Sequence, residues 1–203
     1  MEGDPPKATR KARADSTRNR ERLLVAAAEV FRAGGGQASL EAVARQAGVG
    51  IGTLYRHFPT REALFEAVYR REVEQLAALA ETLSESHPPL PALRLWLRAE
   101  VRLVATKRGM LTALALAVDS GSDIYAFSFA HLTRAVGGLL RRCVEAGEIR
   151  EDVGPEDLLQ TLIGLCLAAR EPEWEGTVIR LVDVFVDGMR VGAGRPSGER
   201  VDA

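Results

Sequence analysis

The sequence predicts an all-α fold, with a three-helix head carrying a helix-turn-helix and a larger helical body, about nine helices in all. Three observations lead there. Apolar residues recur at three- and four-residue spacing almost throughout. Strand-type alternation is nearly absent. Glycine and proline fall between the periodic stretches, where helices have to stop. At 203 residues the chain is long enough for a sizeable core, because chains near this size bury roughly 70% of their unfolded surface. The expected organisation is a flexible basic arm over 1–15, a head over 16–70, a body over 71–192 and a disordered tail over 193–203.

The first helix is expected over about 16–33. Leu23, Ala27, Val30 and Phe31 line one face, and Gly34-Gly35-Gly36 stops it. Ser39 then caps a second helix whose inner face is Leu40, Val43, Ala44 and Ala47, and Gly48 closes it. A third, short helix covers about 51–57 and ends before Pro59, and Thr60 caps a fourth. The fourth is long, about 61–84, or on the order of 36 Å at 1.5 Å per residue. Its face Tyr69, Val73, Leu76, Ala80 and Leu83 is apolar along its length. SHPPLP breaks it. Further helices are expected over about 91–106, 109–118, 123–146, 155–169 and 173–191. Gly109, after Lys107-Arg108, reads as a helix stop. Gly147 reads as another, and Pro155-Glu156-Asp157 as a start. Met110 to Val118 is apolar on nearly all sides, so it should be buried all round.

Composition narrows the function. The formal net charge is -1, but it is unevenly spread. Residues 7–60 hold ten basic and four acidic groups, a net +6, which leaves -7 for the remainder. A basic end on an acidic body suits a polyanionic partner. Cys143 and Cys166 lie in apolar helical stretches and read as buried free thiols of a reducing cytosol. The basic N-terminus has no apolar core of a secretory signal, and no run reaches 18 apolar residues, so no membrane partner is expected. His57, His87 and His131 have no metal-ligand spacing, and no paired carboxylates, nucleophile motif or phosphate-cradling loop is present. Catalytic residues, metals and cofactors are therefore expected to be absent. A helical carrier or enzyme without DNA function is the alternative from another class.

GVGIGTLYRHFPTREALF, from Gly48 to Phe65, holds the sharpest signal. Two short helices joined by about four residues make the arrangement in which the second helix enters the major groove of DNA. Val49 and Leu54 should anchor the turn and the inner face, while Gly48 permits a left-handed backbone. Gly50 and Gly52 remove bulk where the reader helix nears the duplex. Thr53, Tyr55, Arg56 and His57 project outward, toward phosphates or base edges. Ser39 and Thr60 cap helices whose N-terminal amides suit phosphate, and Arg61 adds charge beside the second.

SLEAVARQAGVGIGTLYRHFPTREALFEAV, with LLVAAAEVFRAGG before it, resembles the DNA-binding head of the TetR family of bacterial transcriptional regulators. The likeness covers about residues 17–69. It implies DNA contacts at Thr53, Tyr55 and His57, and phosphate contacts at Ser39 and Arg61. Gly50, Ile51 and Gly52 fall where family members often place base-reading side chains. Two of the three are glycine, which shifts discrimination to Arg45, Arg56 and Ile51, the last suited to a thymine methyl. The basic arm (Lys7, Arg10, Lys11, Arg13) is a candidate for an adjacent minor groove.

LRLWLRAEVRLVATKRGM and AGEIREDVGPEDLL are similar to the SbtR-like group of C-terminal domains in that family. The resemblance implies a homodimer joined through the last two helices, with Leu158, Leu162, Leu165, Val178, Val182, Phe185 and Met189 at the interface. Trp96, Arg102, Tyr125, Phe127, Phe129, His131 and Trp174 are the bulky or polar candidates for a pocket holding a small, largely apolar effector. The expected function is that of a cytoplasmic, ligand-responsive repressor that binds operator DNA as a dimer. An activator, or a repressor requiring a corepressor, fits the same residues.

Overall fold

The computed structural model describes residues 7–33, 38–113, 123–169 and 173–192, apart from the side chains of 7–13, 112 and 113. Eight helices lie among them: α1 Lys7–Ala33, α2 Leu40–Gln46, α3 Ile51–His57, α4 Arg61–Ser86, α5 Pro89–Ala113, α6 Asp123–Glu145, α7 Pro155–Ala168 and α8 Trp174–Gly188. An isolated antiparallel bridge joins Ile149 and Arg190. The fold is thus all-α, as the periodicity requires. The expected stop at residues 34–36 and the tail from 193 lie outside the described residues.

The chain divides into two compact units. The first comprises Met1–Glu72 and Ala105–Tyr125, the second Val73–Val104 and Ala126–Ala203. In the first unit, Leu23, Leu24, Ala27 and Phe31 of α1 meet Val43 and Ala44 of α2, Leu54 of α3, and Leu64 and Val68 of α4 in one buried cluster. Met110 of α5 belongs to the same cluster. The predicted inner face of α2 is buried at every position, and so is Leu54. Each fully buried leucine adds about 2 kcal/mol to the head.

Three expectations are corrected. First, α1 begins at Lys7 rather than near Ser16, because nothing between Lys7 and Ser16 breaks a helix. Second, Gly109 does not stop a helix. α5 runs unbroken from Pro89 to Ala113, so the separate helix expected from Gly109 is absent as far as Ala113, and residues 114–118 lie outside the described residues. A Cβ at Gly109 would stand 1.7 Å from the carbonyl oxygen of Phe31 and 2.6 Å from its carbonyl carbon. Glycine is there so that the backbones of α5 and α1 can touch. Around that crossing the Arg32 Nε–H donates to the hydroxyl of buried Thr106 at 3.0 Å, and Arg32 also reaches Glu72 at 3.2 Å.

The third correction concerns α7 and α8. Leu158, Leu162, Val178, Val182 and Met189, expected at an interface, are buried within the chain itself. They are the faces that the second unit packs against itself. Leu165 and Phe185 are half-buried. The apolar side chains left exposed on these helices are Leu167, Leu181 and Val184.

Elsewhere in the second unit the apolar face of α4 is buried as expected, through Val73, Leu76, Ala80 and Leu83. Trp96 is wholly buried, and its indole N–H donates to the Leu76 carbonyl at 2.8 Å. Arg94 and Arg98 of α5 pair with Asp183 of α8 at 3.1 and 2.9 Å. Both cysteines are buried free thiols. Burial, followed by the charge of Glu148, pushes Cys143 up to about 11, which leaves it an unreactive thiol.

Candidate nucleic-acid interface

Two capped helix starts and one capped helix end hold the reader. Ser39 adopts extended backbone (φ -137°, ψ 167°), and its hydroxyl accepts the Ala42 amide at 3.2 Å. Thr60 does the same for α4, accepting the Ala63 amide at 3.1 Å. Each satisfies an amide that the first turn leaves without a partner. α2 ends on Gly48 at φ 63°. The Gly48 amide bonds Arg45 O and the Val49 amide bonds Ala44 O, both at 3.0 Å. This paired bonding is the Schellman end, which needs a left-handed residue at that position. An alanine Cβ at Gly48 would also lie 2.6 Å from the Arg22 guanidinium.

The turn sets the face of α3. Leu54 and Phe58, four residues apart, are buried at 0% and 2% exposure and fix the helix to the core. Ile51 and Tyr55 are consequently thrown outward, at 38% and 45% exposure. Gly50, Gly52 and Arg56 are exposed too, while Thr53 and His57 are half-buried. Arg45 of α2 and Arg61 of α4 are exposed. A Cβ at Gly50 or Gly52 would meet nothing within 4 Å. The chain itself therefore imposes no glycine at either position.

Two residues enter this neighbourhood that the sequence did not single out. Glu41 lies in the first turn of α2. A hydrogen bond from its own backbone amide, then one from the Ser39 hydroxyl, and the charge of Arg61 hold its carboxyl below the usual range. An acid two residues after a serine cap is the available signal. The other is Arg20 of α1, whose guanidinium carbon stands 5.2 Å over the Phe58 ring. That contact joins residues far apart in the chain and leaves no local pattern to read.

The residues chosen as pocket candidates are not gathered together. Trp96 is core. Tyr125 belongs to the first unit, where the Lys107 ammonium sits 4.0 Å from its ring centroid. Phe127 and His131 touch, with ring centroids 4.0 Å apart, and His131 Nδ1 lies 2.8 Å from the Phe127 carbonyl, which requires Nδ1 to carry the proton. Arg102 and Phe129 are exposed, and Trp174 is half-buried.

Comparison with known proteins agrees with this geometry. Residues 23–68 match the model of bacterial regulatory proteins of the tetR family, and residues 88–191 match the SbtR-like transcriptional regulator C-terminal domain. The TetR transcriptional regulator SCO0520 of Streptomyces coelicolor is 42% identical, with a TM-score of 0.74 over 86% of this chain and 99% of that one. A TetR regulatory protein from Mycobacterium vanbaalenii is 34% identical, with a TM-score of 0.66 over 89% and 99%. The HTH-type transcriptional regulator UidR of Escherichia coli K12 is 37% identical over 70 residues, 34% of this chain and 36% of its own length. The chain spans half or less of the length of the curated relatives it matches.

Proposed function

Since the chain belongs to the TetR family of bacterial transcriptional regulators, we propose that it is a dimeric repressor whose α3 reads an operator and whose second unit binds a small effector. The observation that carries the DNA half is the division of α3. Leu54 and Phe58 are buried while Ile51, Tyr55 and Arg56 face outward from a glycine-capped turn. Ser39, Thr60 and Arg61 stand at the starts of the flanking helices, where phosphates are met. Ile51, with Arg45 and Arg56, discriminates bases, and Tyr55, Thr53 and His57 support the docked helix.

The dimer rests on Leu167, Leu181 and Val184. These apolar side chains stand 63%, 44% and 68% exposed on the last two helices, and a second copy would cover them. The effector reading rests on a groove of about 620 Å³ in the second unit, lined by small residues of α4 and α6 with Glu81, His131 and Arg134. Of the seven pocket candidates, this groove takes in His131 alone. An effector acts only through its different affinities for the DNA-competent and incompetent states. No helix among the described residues is long and apolar enough to cross a membrane.

The test is selection of an operator from a pool of randomised duplexes, followed by fluorescence anisotropy. The wild-type protein should prefer the selected duplex, the double variant Arg45→Ala/Arg56→Ala should lose that preference, and Tyr55→Ala should weaken binding to every duplex. Equal affinity for every sequence would overturn the reading.

A further inference from the structure

We infer that Arg20 and Arg22 of α1 are positioning residues for the reader helix. They brace α3 at its two ends and hold the angle at which it presents Ile51 and Arg56, without contacting the duplex themselves. The inference rests on the reading of α3 as the DNA reader and extends it. α3 has little of its own to fix that angle. It is seven residues long, no side chain caps its start, and Leu54 alone among its residues is buried. Helices this short are marginal in isolation, and glycine at position 52 weakens the first turn further. One buried side chain holds a helix down but lets it tilt about that contact, so its ends decide its orientation.

Both ends are met by α1. At the entry, Arg22 Nη2 donates to the Gly48 carbonyl at 3.4 Å, and a Cβ on Gly48 would stand 2.6 Å from the same nitrogen. The guanidinium therefore lies against the bare backbone of the turn that launches α3, in a place that glycine leaves open. At the exit, the Arg20 guanidinium carbon stands 5.2 Å over the ring of Phe58, the residue that caps α3. A cation over an aromatic face is attracted to it. Glu21, between the two arginines, bonds Arg71 of α4 at 2.9 Å, so its charge is taken up there. Leu23 and Leu24, the next two residues, are buried in the core and fix the base from which both arginines reach. Each arginine is engaged with the chain's own groups, which suits a brace rather than a free cation offered to phosphate.

The experiment measures, on the full chain, the ratio of affinities for the selected operator and for a random-sequence duplex by fluorescence anisotropy. The slope of log affinity against log salt is recorded on the random duplex. Arg20→Ala and Arg22→Ala should each lower the ratio about three- to fivefold, and the double variant about tenfold, with the slope unchanged. A slope reduced by about 0.9 in either single variant would make that arginine a phosphate contact and overturn the inference. So would an unchanged ratio in the double variant. Gln46→Ala is the control for loosened packing. It removes the 2.9 Å tie between α2 and Glu29 of α1, lies at neither end of α3, and should keep the ratio. A loss there equal to that of the arginine variants would reduce the effect to general softening of the head and overturn the inference. Both arginines are exposed and alanine favours helix, so α1 is retained in the variants. Failure of the wild-type protein to prefer any duplex would instead sink the reading of α3 as an operator reader.

Discussion

Where α5 crosses α1, and where α3 begins, the chain places glycine inside a helix, and the two settings are opposite. Gly109 has the Phe31 carbonyl where a side chain would start. Gly52 has open space. The first glycine is demanded by the chain's own backbone. Nothing among the described residues demands the second, and under the proposed reading the demand would come from a duplex pressed against the start of α3.

Substitution by alanine breaks or sharpens this contrast. Gly109→Ala should have the largest effect, on the order of 3 kcal/mol lost, because the obstacle is backbone and cannot swing aside. Urea denaturation followed by circular dichroism measures it, and a loss below about 1 kcal/mol would mean that the two helices separate readily. Gly48→Ala comes next, at about 1–2 kcal/mol, since its positive φ is costly for a side chain while the nearby Arg22 tip can move. Ser39→Ala should cost about 1 kcal/mol through the lost cap, with weaker DNA binding as a second readout. Gly52→Ala should change stability by only a few tenths of a kcal/mol, in the stabilising direction, yet weaken operator binding. Retention of full affinity would remove the proposed reason for that glycine. The smallest effect belongs to Glu41, whose carboxyl titrates below its ordinary 4.5 in the folded chain. A depressed carboxyl contributes stability above the ordinary value and loses it as pH falls through the folded one. Glu41→Gln should slightly flatten the loss of thermal midpoint between pH 5 and 3.

The head was legible because its signals are local. Ser39, Thr60 and Gly48 act within four residues of themselves, and the spacing of Leu54 and Phe58 fixes which side of α3 faces out. Gly109 misled because its meaning lies in Phe31, far away in sequence. A glycine that ends a helix and one that admits a neighbouring backbone look alike from the sequence. On α7 and α8 the apolar period marked burial correctly but carried no information about which molecule does the burying. Val178 and Val182 turned out to serve their own chain, leaving Leu181 and Val184 outside. Bulk or polarity marks each pocket candidate singly. No spacing rule links residues on separate helices, and Trp96 went to the core.

The buried indole of Trp96 has a practical consequence. Its N–H is tied to a carbonyl of α4 while the ring rides on α5, so the pair senses any sliding of one helix along the other. Loosening that bond changes the polarity around the ring and with it the emission wavelength. The protein thus carries a native optical gauge, and replacing Trp174 by phenylalanine would isolate its signal for screening candidate small molecules without a label.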